Sequence, residues 1–340
     1  MASITLKPDA SALKIISLAR KRDRPAGITP SLNGQTVVLT GANSGFGLAT
    51  AKILPTLGVA RLIIGVRSTE SGEIAAESIR KVHPNCSIEV WKLDMLSYES
   101  VQAFAQRCAG IDRLDMAILN AGVVKLQFAK SPSTGHEDSI QVNYLSTALL
   151  SILLLPVLKP KDPSHPPGRL TLVGSSKAYS SAFAERSGVP LLEEFDKEWS
   201  GVMAGSERYG VSKLLLQMFV YRLSKLVSSS DVIINNVCPG MSQHTALGRQ
   251  VPNLAFHLVG MTMQALWGRT PEQGAWTYID AAAVKGKETH GSFIFGWNMF
   301  PFHPIMYTKE GEEVAARLWN ETMAEQAPFG VKEALQAMKA

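Results

Sequence analysis

The stretch Thr36–Gly47, TVVLTGANSGFG, decides the fold that we expect for this chain. Its first five residues, Thr36–Thr40, are β-branched or apolar and predict a buried strand. The glycines that follow have the spacing GxxxGxG, and a helical pattern over Gly45–Leu57 comes after them. Because glycines let the backbone approach a pyrophosphate, and a helix N-terminus attracts its charge, this succession predicts a dinucleotide-binding cradle.

Strand-like and helix-like segments alternate from residue 35 onward. The alternation predicts an α/β fold, a Rossmann-type doubly wound parallel sheet of about seven strands with helices on both faces. The expected strands are Thr36–Thr40, Arg61–Val66, Ser87–Leu93, Asp115–Asn120, Arg169–Gly174, Asp231–Val237 and Ser292–Gly296. The expected helices are Gly45–Leu57, Glu70–Lys81, Ser97–Cys108, Asp138–Leu158, Tyr209–Val227 and Pro271–Val284.

All these segments form one succession, so we expect a single domain over residues 34–340. An extension, residues 1–33, precedes it and contains one short helix candidate, Ala10–Arg22. Two stretches interrupt the alternation, residues 180–207 and 241–268, and we expect them to be insertions that cover the substrate. The alternative, that their apolar residues only pack against the body of the protein, is left open.

The composition excludes several classes of protein. Of the 340 residues, 46% are hydrophobic and 19% charged, which is enough apolar material for a core and untypical of a disordered chain. The net charge of +5 is scattered, apart from a basic run at residues 20–24, so we expect no nucleic-acid partner. Cys86, Cys108 and Cys238 are widely spaced, which favours neither a disulfide framework nor a metal site.

The location of the protein is predicted from two features. The three cysteines suit a reducing compartment, and the first residues show no signal-peptide pattern. The most apolar run, Leu149–Leu158, is half the length needed to cross a bilayer and contains Pro156. We therefore expect a cytoplasmic protein that is not inserted in a membrane.

Residues at the ends of the expected strands are candidates for cofactor binding, because ligands of open α/β sheets lie at that edge. Arg67 follows the second strand, where enzymes that use NAD place an acidic residue for the ribose 2′-hydroxyl. A guanidinium group suits a 2′-phosphate instead, so we expect the cofactor to be NADP(H). Asp94 follows the third strand, and Asn120–Gly122 follows the fourth.

Four residues are candidates for the reaction centre. Tyr209 and Lys213 are four apart and share one face of a helix. A nearby ammonium lowers the pKa of a tyrosine, so we expect Lys213 to activate Tyr209 as the acid/base. Ser176, after the fifth strand, can bind a substrate oxygen on which negative charge develops. Asn143 lies in an apolar helix, and a role in connecting Lys213 to water would explain it.

A second YxxxK match, Tyr221 with Lys225, competes with the first. On one continuous helix Tyr221 is rotated by roughly 120° from Tyr209, so both cannot face the cofactor. We prefer Tyr209 because it opens the expected helix and is followed by Ser212–Lys213. Tyr221 is then expected to be a packing or surface residue.

Together these motifs resemble the short-chain dehydrogenase/reductase family, over about Leu32 to Thr322. The motifs are TGxxxGxG, the Asp after the third strand, NAG, YxxSK and the Pro239–Gly240 pair, and the helix ending at Arg317–Trp319 is similar to that of the retinol-dehydrogenase-like branch. Fungal secondary-metabolite reductases are also similar. The resemblance implies a catalytic tetrad of Asn143, Ser176, Tyr209 and Lys213. It implies cofactor binding by Gly41, Asn43, Ser44, Gly45, Phe46, Gly47, Arg67, Asp94, Asn120, Ala121, Gly122, Tyr209, Lys213, Pro239, Gly240 and Ser242.

Three features depart from the family pattern. Ser175 stands beside Ser176, and Ser176 is chosen because the family usually uses the second serine. The segment from Ser176 to Tyr209 is longer than is common in the family. His244 stands where the family often has a threonine, with Thr245 one residue later.

The leading functional hypothesis is an NADP(H)-dependent oxidoreductase that interconverts a ketone or aldehyde and an alcohol. The apolar insertions favour a bulky apolar substrate, such as a terpenoid, steroid, retinoid or polyketide. A homodimer is left open, as is an interaction protein that binds partners through its N-terminal helix and its Pro-rich loop, residues 159–168. The alternative is a protein that binds the cofactor without redox turnover, as a cyclase, a dehydratase or a nucleotide sensor. The complete tetrad favours the oxidoreductase.

Overall fold

The computed structural model of the chain describes residues 2–8, 11–19, 24–25, 29–162, 164–242 and 268–339. Within these residues the centre is an eight-stranded sheet of order β3-β2-β1-β4-β5-β6-β7-β8. Strands β1 to β7 pair in parallel, and β8 pairs antiparallel with β7. The strands are β1 Thr36–Thr40, β2 Arg61–Val66, β3 Ser87–Lys92, β4 Met116–Leu119, β5 Gly168–Val173, β6 Val232–Cys238, β7 Ser292–Phe295 and β8 Asn298–Phe300.

The predicted Rossmann-type doubly wound sheet is confirmed, and the bounds of the seven predicted strands agree to within one residue at each end. The eighth strand, β8, was not predicted. It follows a two-residue turn in which both Gly296 (φ 58°) and Trp297 (φ 73°) have positive φ. Hairpin turns of this kind are signalled by Asn-Gly or Asp-Gly, and a tryptophan in this conformation carries no such signal.

Eleven α-helices flank the sheet within the described residues. They are α1 Ala12–Ala19, α2 Gly45–Ile53, α3 Thr69–Arg80, α4 Tyr98–Ala109, α5 Asp138–Ile140, α6 Ser146–Leu158, α7 Leu191–Phe195, α8 Val202–Ser224, α9 Pro271–Ile279, α10 Lys309–Glu325 and α11 Val331–Ala337. One apolar cluster lies between the sheet and α2, α3 and α9, and a larger one lies between the sheet and α4, α6 and α8. The sheet is therefore covered on both faces, as predicted.

The predicted helix Tyr209–Val227 was wrong at its start, because α8 begins at Val202 and Tyr209 lies in its interior. Gly201 (φ 88°) precedes the helix, and Gly205 lies inside its second turn. A Cβ at Gly205 would lie 2.4 Å from the Lys125 carbonyl oxygen. This glycine therefore permits a close approach of another loop and does not interrupt the helix, which is why the sequence pattern was misleading.

Helix α6 forms the centre of the larger apolar cluster. The stretch Asp138–Leu158 is the one described helical segment long and apolar enough to cross a membrane, and 83% of its apolar window is buried inside the protein. Helices α10 and α11 help to cover it, with Gln326 donating a hydrogen bond to the Leu145 carbonyl at 2.7 Å. In this structure the segment is therefore a core helix.

The N-terminal extension packs onto the edge of the sheet. The N–H of Ser3 donates to the Ser292 hydroxyl at 3.1 Å, and the Ser3 hydroxyl accepts from the N–H of Phe293 at 2.9 Å. Ile15 and Leu18 of α1 pack against an aromatic cluster that contains Phe293. Helix α1 is shorter than the predicted Ala10–Arg22, part of which lies outside the described residues.

The insertion at residues 180–207 is docked against the body of the protein. Leu191 and Phe195 are fully buried in the larger apolar cluster. The Glu321 carboxylate of α10 accepts the backbone N–H groups of Leu191 at 2.9 Å and Leu192 at 2.8 Å, which holds the first turn of α7. These side chains fill the core, as in the alternative that was left open, and the expectation that the insertion covers the substrate stays a prediction. Most of the second insertion, residues 241–268, lies outside the described residues.

Candidate active site

The predicted cradle lies at the C-terminal end of β1. Gly41 (φ 68°) and Gly45 (φ 55°) both adopt the left-handed conformation that favours glycine. A Cβ at Gly47 would lie 2.5 Å from the Gly41 carbonyl oxygen, so only glycine fits there. A Cβ at Gly45 would meet nothing within 4 Å, and Asn43 and Ser44 beside it are exposed. The open side of the turn at the start of α2 can therefore receive an anion.

The cradle is tied to the end of β4. The Asn120 amide donates to the carbonyls of Thr40 at 2.9 Å and Gly41 at 3.1 Å. The Thr40 hydroxyl accepts from the N–H of Ala121 at 2.9 Å. The Asn120 oxygen accepts from the hydroxyl of Tyr278 in α9 at 2.9 Å. Asn120 was predicted to bind the cofactor, and its side chain here holds the turn that would do so.

Tyr278 was not predicted as part of this site. Its ring also packs edge-on against Phe46, with the ring centroids 6.3 Å apart. The side chain of Phe46 therefore faces α9, which leaves the backbone of this residue for the cradle. Tyr278 lies far along the chain in an ordinary apolar helix pattern, so no local motif indicates its role.

The end of β2 carries positive charge. Arg67 directly follows β2 and is exposed, and the Lys92 ammonium at the end of β3 donates to the Arg67 carbonyl at 2.6 Å. Within the described part of the chain, neither cation has a carboxylate partner. Asn43 of the cradle reaches the same region, where its amide donates to Ser71 at 3.2 Å. Lys92 was missed because its nearness to Arg67 depends on the pairing of β2 with β3.

Asp94 follows β3, as predicted, and its position is set by two local hydrogen bonds. Its carboxylate accepts from the N–H of Leu96 at 3.1 Å, and its own N–H donates to the Ser100 hydroxyl at 2.9 Å. These contacts organise the start of α4. They place a partly exposed carboxylate at the same sheet edge as the cradle.

The reaction centre lies where the ends of β4 and β5 meet α8. The Lys213 ammonium is 4% exposed and donates to the carbonyl of Val173, the last residue of β5, at 2.8 Å. It lies 5.8 Å from the centre of the Tyr209 ring. A Cβ at Gly122 would lie 3.5 Å from this ammonium nitrogen. Because Gly122 directly follows the residues that hold the cradle, the cradle and Lys213 belong to one site.

The structure favours Ser175 over the predicted Ser176 as the serine that faces Tyr209. The side chain of Ser175 is the one that lies beside the Tyr209 phenol. The N–H of Ser176 donates to the Cys238 sulfur at 3.2 Å, and the Ser176 side chain lies on the side of Cys238. Ser175 is extended (φ −153°, ψ 143°), and consecutive side chains of an extended chain point to opposite sides. Only one of the two serines can therefore face Tyr209.

The pKa values of the two residues differ from the sequence expectation. Burial raises the pKa of Tyr209 to about 12, against the smaller lowering effect of the hydrogen bond with Ser175. Burial lowers the pKa of Lys213 to about 8. In the chain by itself, desolvation therefore outweighs the expected lowering of the Tyr209 pKa by Lys213. The phenol is protonated at neutral pH, which is the state that a proton donor needs.

Asn143 lies in a π-helical turn, Gln141–Leu145, between α5 and α6. π-Turns of this kind occur frequently at functional sites. Its amide oxygen accepts from the N–H of Val123, and its amide nitrogen donates to the carbonyl of Val123, both at 2.8 Å. The same nitrogen donates to the Ser212 hydroxyl at 3.0 Å. Asn143 thus holds the loop after Gly122 against α8, beside Lys213, but its side chain makes no direct bond to Lys213.

The competing pair, Tyr221 and Lys225, has a different environment. The Lys225 ammonium lies 4.1 Å from the centre of the Tyr221 ring, and that ring packs against Phe302 at 5.8 Å between centroids. The structure thus places Tyr221 in the aromatic cluster under the N-terminal extension.

The turn after β6 completes the described part of the site. Gly240 is left-handed (φ 83°), and the Pro239 carbonyl accepts from the buried Arg269 guanidinium at 2.8 Å. Ser242 forms an isolated parallel bridge with Arg269. The predicted site residues thus lie at one edge of the sheet, whereas His244 and Thr245 lie outside the described residues.

Comparison with known proteins gives consistent matches. A model of the short chain dehydrogenase family matches residues 35–185. The short chain dehydrogenase/reductase mfmJ of Annulohypoxylon moriforme is 44% identical over 313 residues, 91% of this chain and 89% of that protein. The short chain dehydrogenase virL of Hypocrea virens is 41% identical over 323 residues, 94% of this chain and 92% of that protein.

Two solved structures share the fold. The RhlG/NADP active-site complex of Pseudomonas aeruginosa has a TM-score of 0.59 and 24% identity, covering 82% of this chain and 99% of that chain. A short chain dehydrogenase of Escherichia coli CFT073 complexed with NADPH has a TM-score of 0.57 and 21% identity, covering 79% of this chain and 98% of that chain. At these identities the two structures support the fold alone.

Proposed function

The chain belongs to the short chain dehydrogenase/reductase family, and from this we propose that it is an NADP(H)-dependent oxidoreductase that interconverts a ketone or aldehyde and an alcohol. One observation carries the proposal. The phenol of Tyr209 lies beside the Ser175 side chain, the buried Lys213 ammonium lies 5.8 Å from the centre of its ring, and Gly122 connects this group to the cradle. An acid, a hydroxyl and a cation thus meet next to a site for a dinucleotide.

The residues of the chain fit a nicotinamide dinucleotide. The open face of Gly45 at the start of α2 leaves space for the pyrophosphate, and Asp94 and Gly122 lie along the same edge. The cofactor, when bound, supplies or accepts the hydride. Pro239, Gly240 and Ser242 would lie beside the reactive end, and Gly41, Asn43, Ser44, Gly47 and the backbone of Phe46 beside the phosphates.

We assign the proton transfer to Tyr209. In reduction, its protonated phenol donates to the carbonyl oxygen, and in oxidation the phenolate accepts the proton of the alcohol. The Ser175 hydroxyl, already held against Tyr209, would bind the same substrate oxygen as negative charge develops. The Lys213 cation favours the phenolate, and Asn143 positions the loop at Gly122 beside it.

A preference for NADP(H) is supported by the charges at the end of β2. Arg67 is exposed, Lys92 lies next to its carbonyl, and neither has a carboxylate partner in the described residues. Two cations at one edge of the sheet attract an anionic group of a bound ligand. A 2′-phosphate would supply that anion, and the planar guanidinium can bind it through two hydrogen bonds.

The substrate is proposed to be a bulky apolar carbonyl compound or alcohol of secondary metabolism. Partly exposed apolar side chains, Val123, Val124 and Leu126, directly follow Gly122 next to the reaction centre. The relatives of 44% and 41% identity come from fungi. The apolar residues near the site would desolvate the reacting carbonyl and select against small polar molecules.

Two further expectations accompany this proposal. Three buried free cysteines suit a reducing, cytoplasmic location. A homodimer stays a proposal, and its interface would lie away from α6, because α10 and α11 of the same chain already help to cover that helix.

The test is a screen in which the purified protein is mixed with NADPH or NADH and a panel of ketones, aldehydes and alcohols. Consumption or formation of reduced nicotinamide is followed by absorbance. Turnover of bulky apolar carbonyls with NADPH is expected, and Tyr209→Phe serves as the inactive control. Tight binding of NADPH without turnover of any panel member would favour the alternative, a cofactor-binding protein without redox chemistry.

A further inference from the structure

We infer that Cys238 is a positioning residue whose sulfur holds two peptide groups of the site in fixed orientations. The inference rests on the proposed function, since it concerns the turn beside the reactive end of the cofactor and the serine that lies beside Tyr209. Cys238 is the last residue of β6, between these two features, and is 2% exposed. Its sulfur accepts hydrogen bonds from Ser176 and Gly240.

The first peptide joins Ser175 to Ser176. Its N–H lies 3.2 Å from the Cys238 sulfur. Because the Cα and the carbonyl carbon of Ser175 belong to this planar group, fixing its orientation restricts the directions that the Ser175 side chain can take. That side chain is the one that lies beside Tyr209. Cys238 therefore acts on Tyr209 through the backbone of Ser175.

The second peptide joins Pro239 to Gly240. Its N–H lies 3.4 Å from the Cys238 sulfur, and its carbonyl oxygen accepts from the buried Arg269 guanidinium at 2.8 Å. The two ends of one planar group are thus held from opposite sides. Gly240, whose nitrogen belongs to this peptide, has a φ of 83°. The contacts with Cys238 and Arg269 hold it in this conformation. The turn is therefore held in position by contacts within the chain itself.

A different explanation is that Cys238 only fills space, as buried cysteines often do. Cys108 provides the matched control, because it is also fully buried and lies in α4, in the larger apolar cluster. Cys238→Ala removes the acceptor and leaves a small cavity. Cys238→Val removes the acceptor but keeps the space filled, and Cys238→Ser keeps an acceptor for the two N–H groups.

The first experiment measures binding by calorimetry, using NADP⁺ and adenosine 2′,5′-bisphosphate, which has the adenosine end but no nicotinamide. Cys238→Ala and Cys238→Val are expected to weaken NADP⁺ about five- to tenfold, the scale of one lost hydrogen bond, and to leave the bisphosphate within about twofold. Cys238→Ser is expected to recover most of the NADP⁺ affinity. Cys108→Ala should change neither.

The second measurement is the pH dependence of alcohol oxidation. If Ser175 is held less firmly, Tyr209 loses a contact that lowers its pKa. The pH at which the rate is half-maximal should therefore be higher in Cys238→Val than in the native protein, and close to the native value in Cys238→Ser. The inference is overturned if Cys238→Val binds NADP⁺ like the native protein with an unshifted profile, or if both ligands weaken equally. If the native protein binds neither ligand, the proposed function itself fails. If Cys238→Ala does not fold, Cys238→Val decides both measurements.

Discussion

The Ser175 side chain lies beside the phenol of Tyr209, although one residue lies in the turn after β5 and the other in the interior of α8. The Ser175 hydroxyl and the Tyr209 phenol, which would both act on the substrate oxygen, are therefore close together. The contact between them opposes, but does not overcome, the effect of burial, which raises the pKa of Tyr209 to about 12. The catalytic predictions depend on this pair.

Tyr209→Phe should bind NADPH as the native protein does and lower turnover by at least about a hundredfold, because the proton donor is lost while the ring remains. Steady-state rates and a fluorescence titration with NADPH measure the two effects. Tyr221→Phe is the matched control, since its hydroxyl lies in the aromatic cluster. Near-native turnover of Tyr209→Phe would show that another group transfers the proton.

The two adjacent serines should differ sharply. Ser175→Ala removes the hydroxyl that faces Tyr209 and should lower kcat by about a hundredfold, as when an oxyanion donor is lost. Ser176→Ala removes only a hydroxyl that faces Cys238 and should stay within about threefold of the native rate. The two variants are compared at saturating substrate and cofactor. The opposite ranking would restore Ser176 as the catalytic serine.

Arg67→Asp should weaken NADPH far more than NADH, because the carboxylate repels a 2′-phosphate and can accept a bond from a free 2′-hydroxyl. Lys92→Gln should shift the ratio of the two dissociation constants in the same direction by a smaller factor. Both constants are measured by fluorescence titration. Lys81→Gln, at the exposed end of α3, is the control for a general loss of charge. If the ratio does not change in Arg67→Asp, this end of β2 does not recognise the phosphate.

The His136 side chain should make stability fall as the pH rises. Burial by itself lowers its pKa, but hydrogen bonds to Asp196 at 2.8 Å and Glu325 at 3.2 Å raise it from 6.5 to about 9. A raised pKa in the folded state stabilises the protein below pH 6.5, and this contribution is lost as the pH rises through about 9.

The difference in unfolding free energy between the native protein and His136→Gln should therefore be largest near pH 6. It should shrink by on the order of 2 kcal/mol towards alkaline pH. Urea denaturation at several pH values measures it. A difference independent of pH would show that His136 is not held as a cation between the two carboxylates.

The insertion at residues 180–207 should contribute more to the stability of the protein than to its substrate specificity. Phe195→Ala should lower the free energy of unfolding by about 3–5 kcal/mol, because the ring is fully buried, and should leave the ranking of substrates by kcat/KM unchanged. Met203→Ala is the control, since its side chain is 73% exposed. An altered ranking with no loss of melting temperature would instead mean that the insertion faces the substrate.

Much of the site could be predicted from the sequence, because the patterns that indicate it are local. Left-handed glycines, a strand before them and a helix after them are close together in sequence, so the turn at Gly41–Gly47 predicted both the fold and the cradle. Short runs rich in β-branched and apolar residues likewise predicted seven strands to within one residue at each end. The pair Tyr209 and Lys213 needed only the helical repeat, and that repeat was sufficient even though the predicted start of α8 was wrong.

Only the tertiary structure could show the contacts between residues that are far apart in the sequence. The choice of Ser175 over Ser176 depends on the direction of an extended turn relative to α8 and Cys238. Lys92 reaches Arg67 through the pairing of two strands, and Tyr278 reaches Asn120 from another helix. The apolar residues of the insertion have the same composition whether they face a substrate or a core. Tertiary contacts, such as the hydrogen bonds that Glu321 of another helix accepts from the insertion, determine which of the two surroundings they have. Sequence patterns record the local backbone preferences and the burial of a segment, but not which partner buries it.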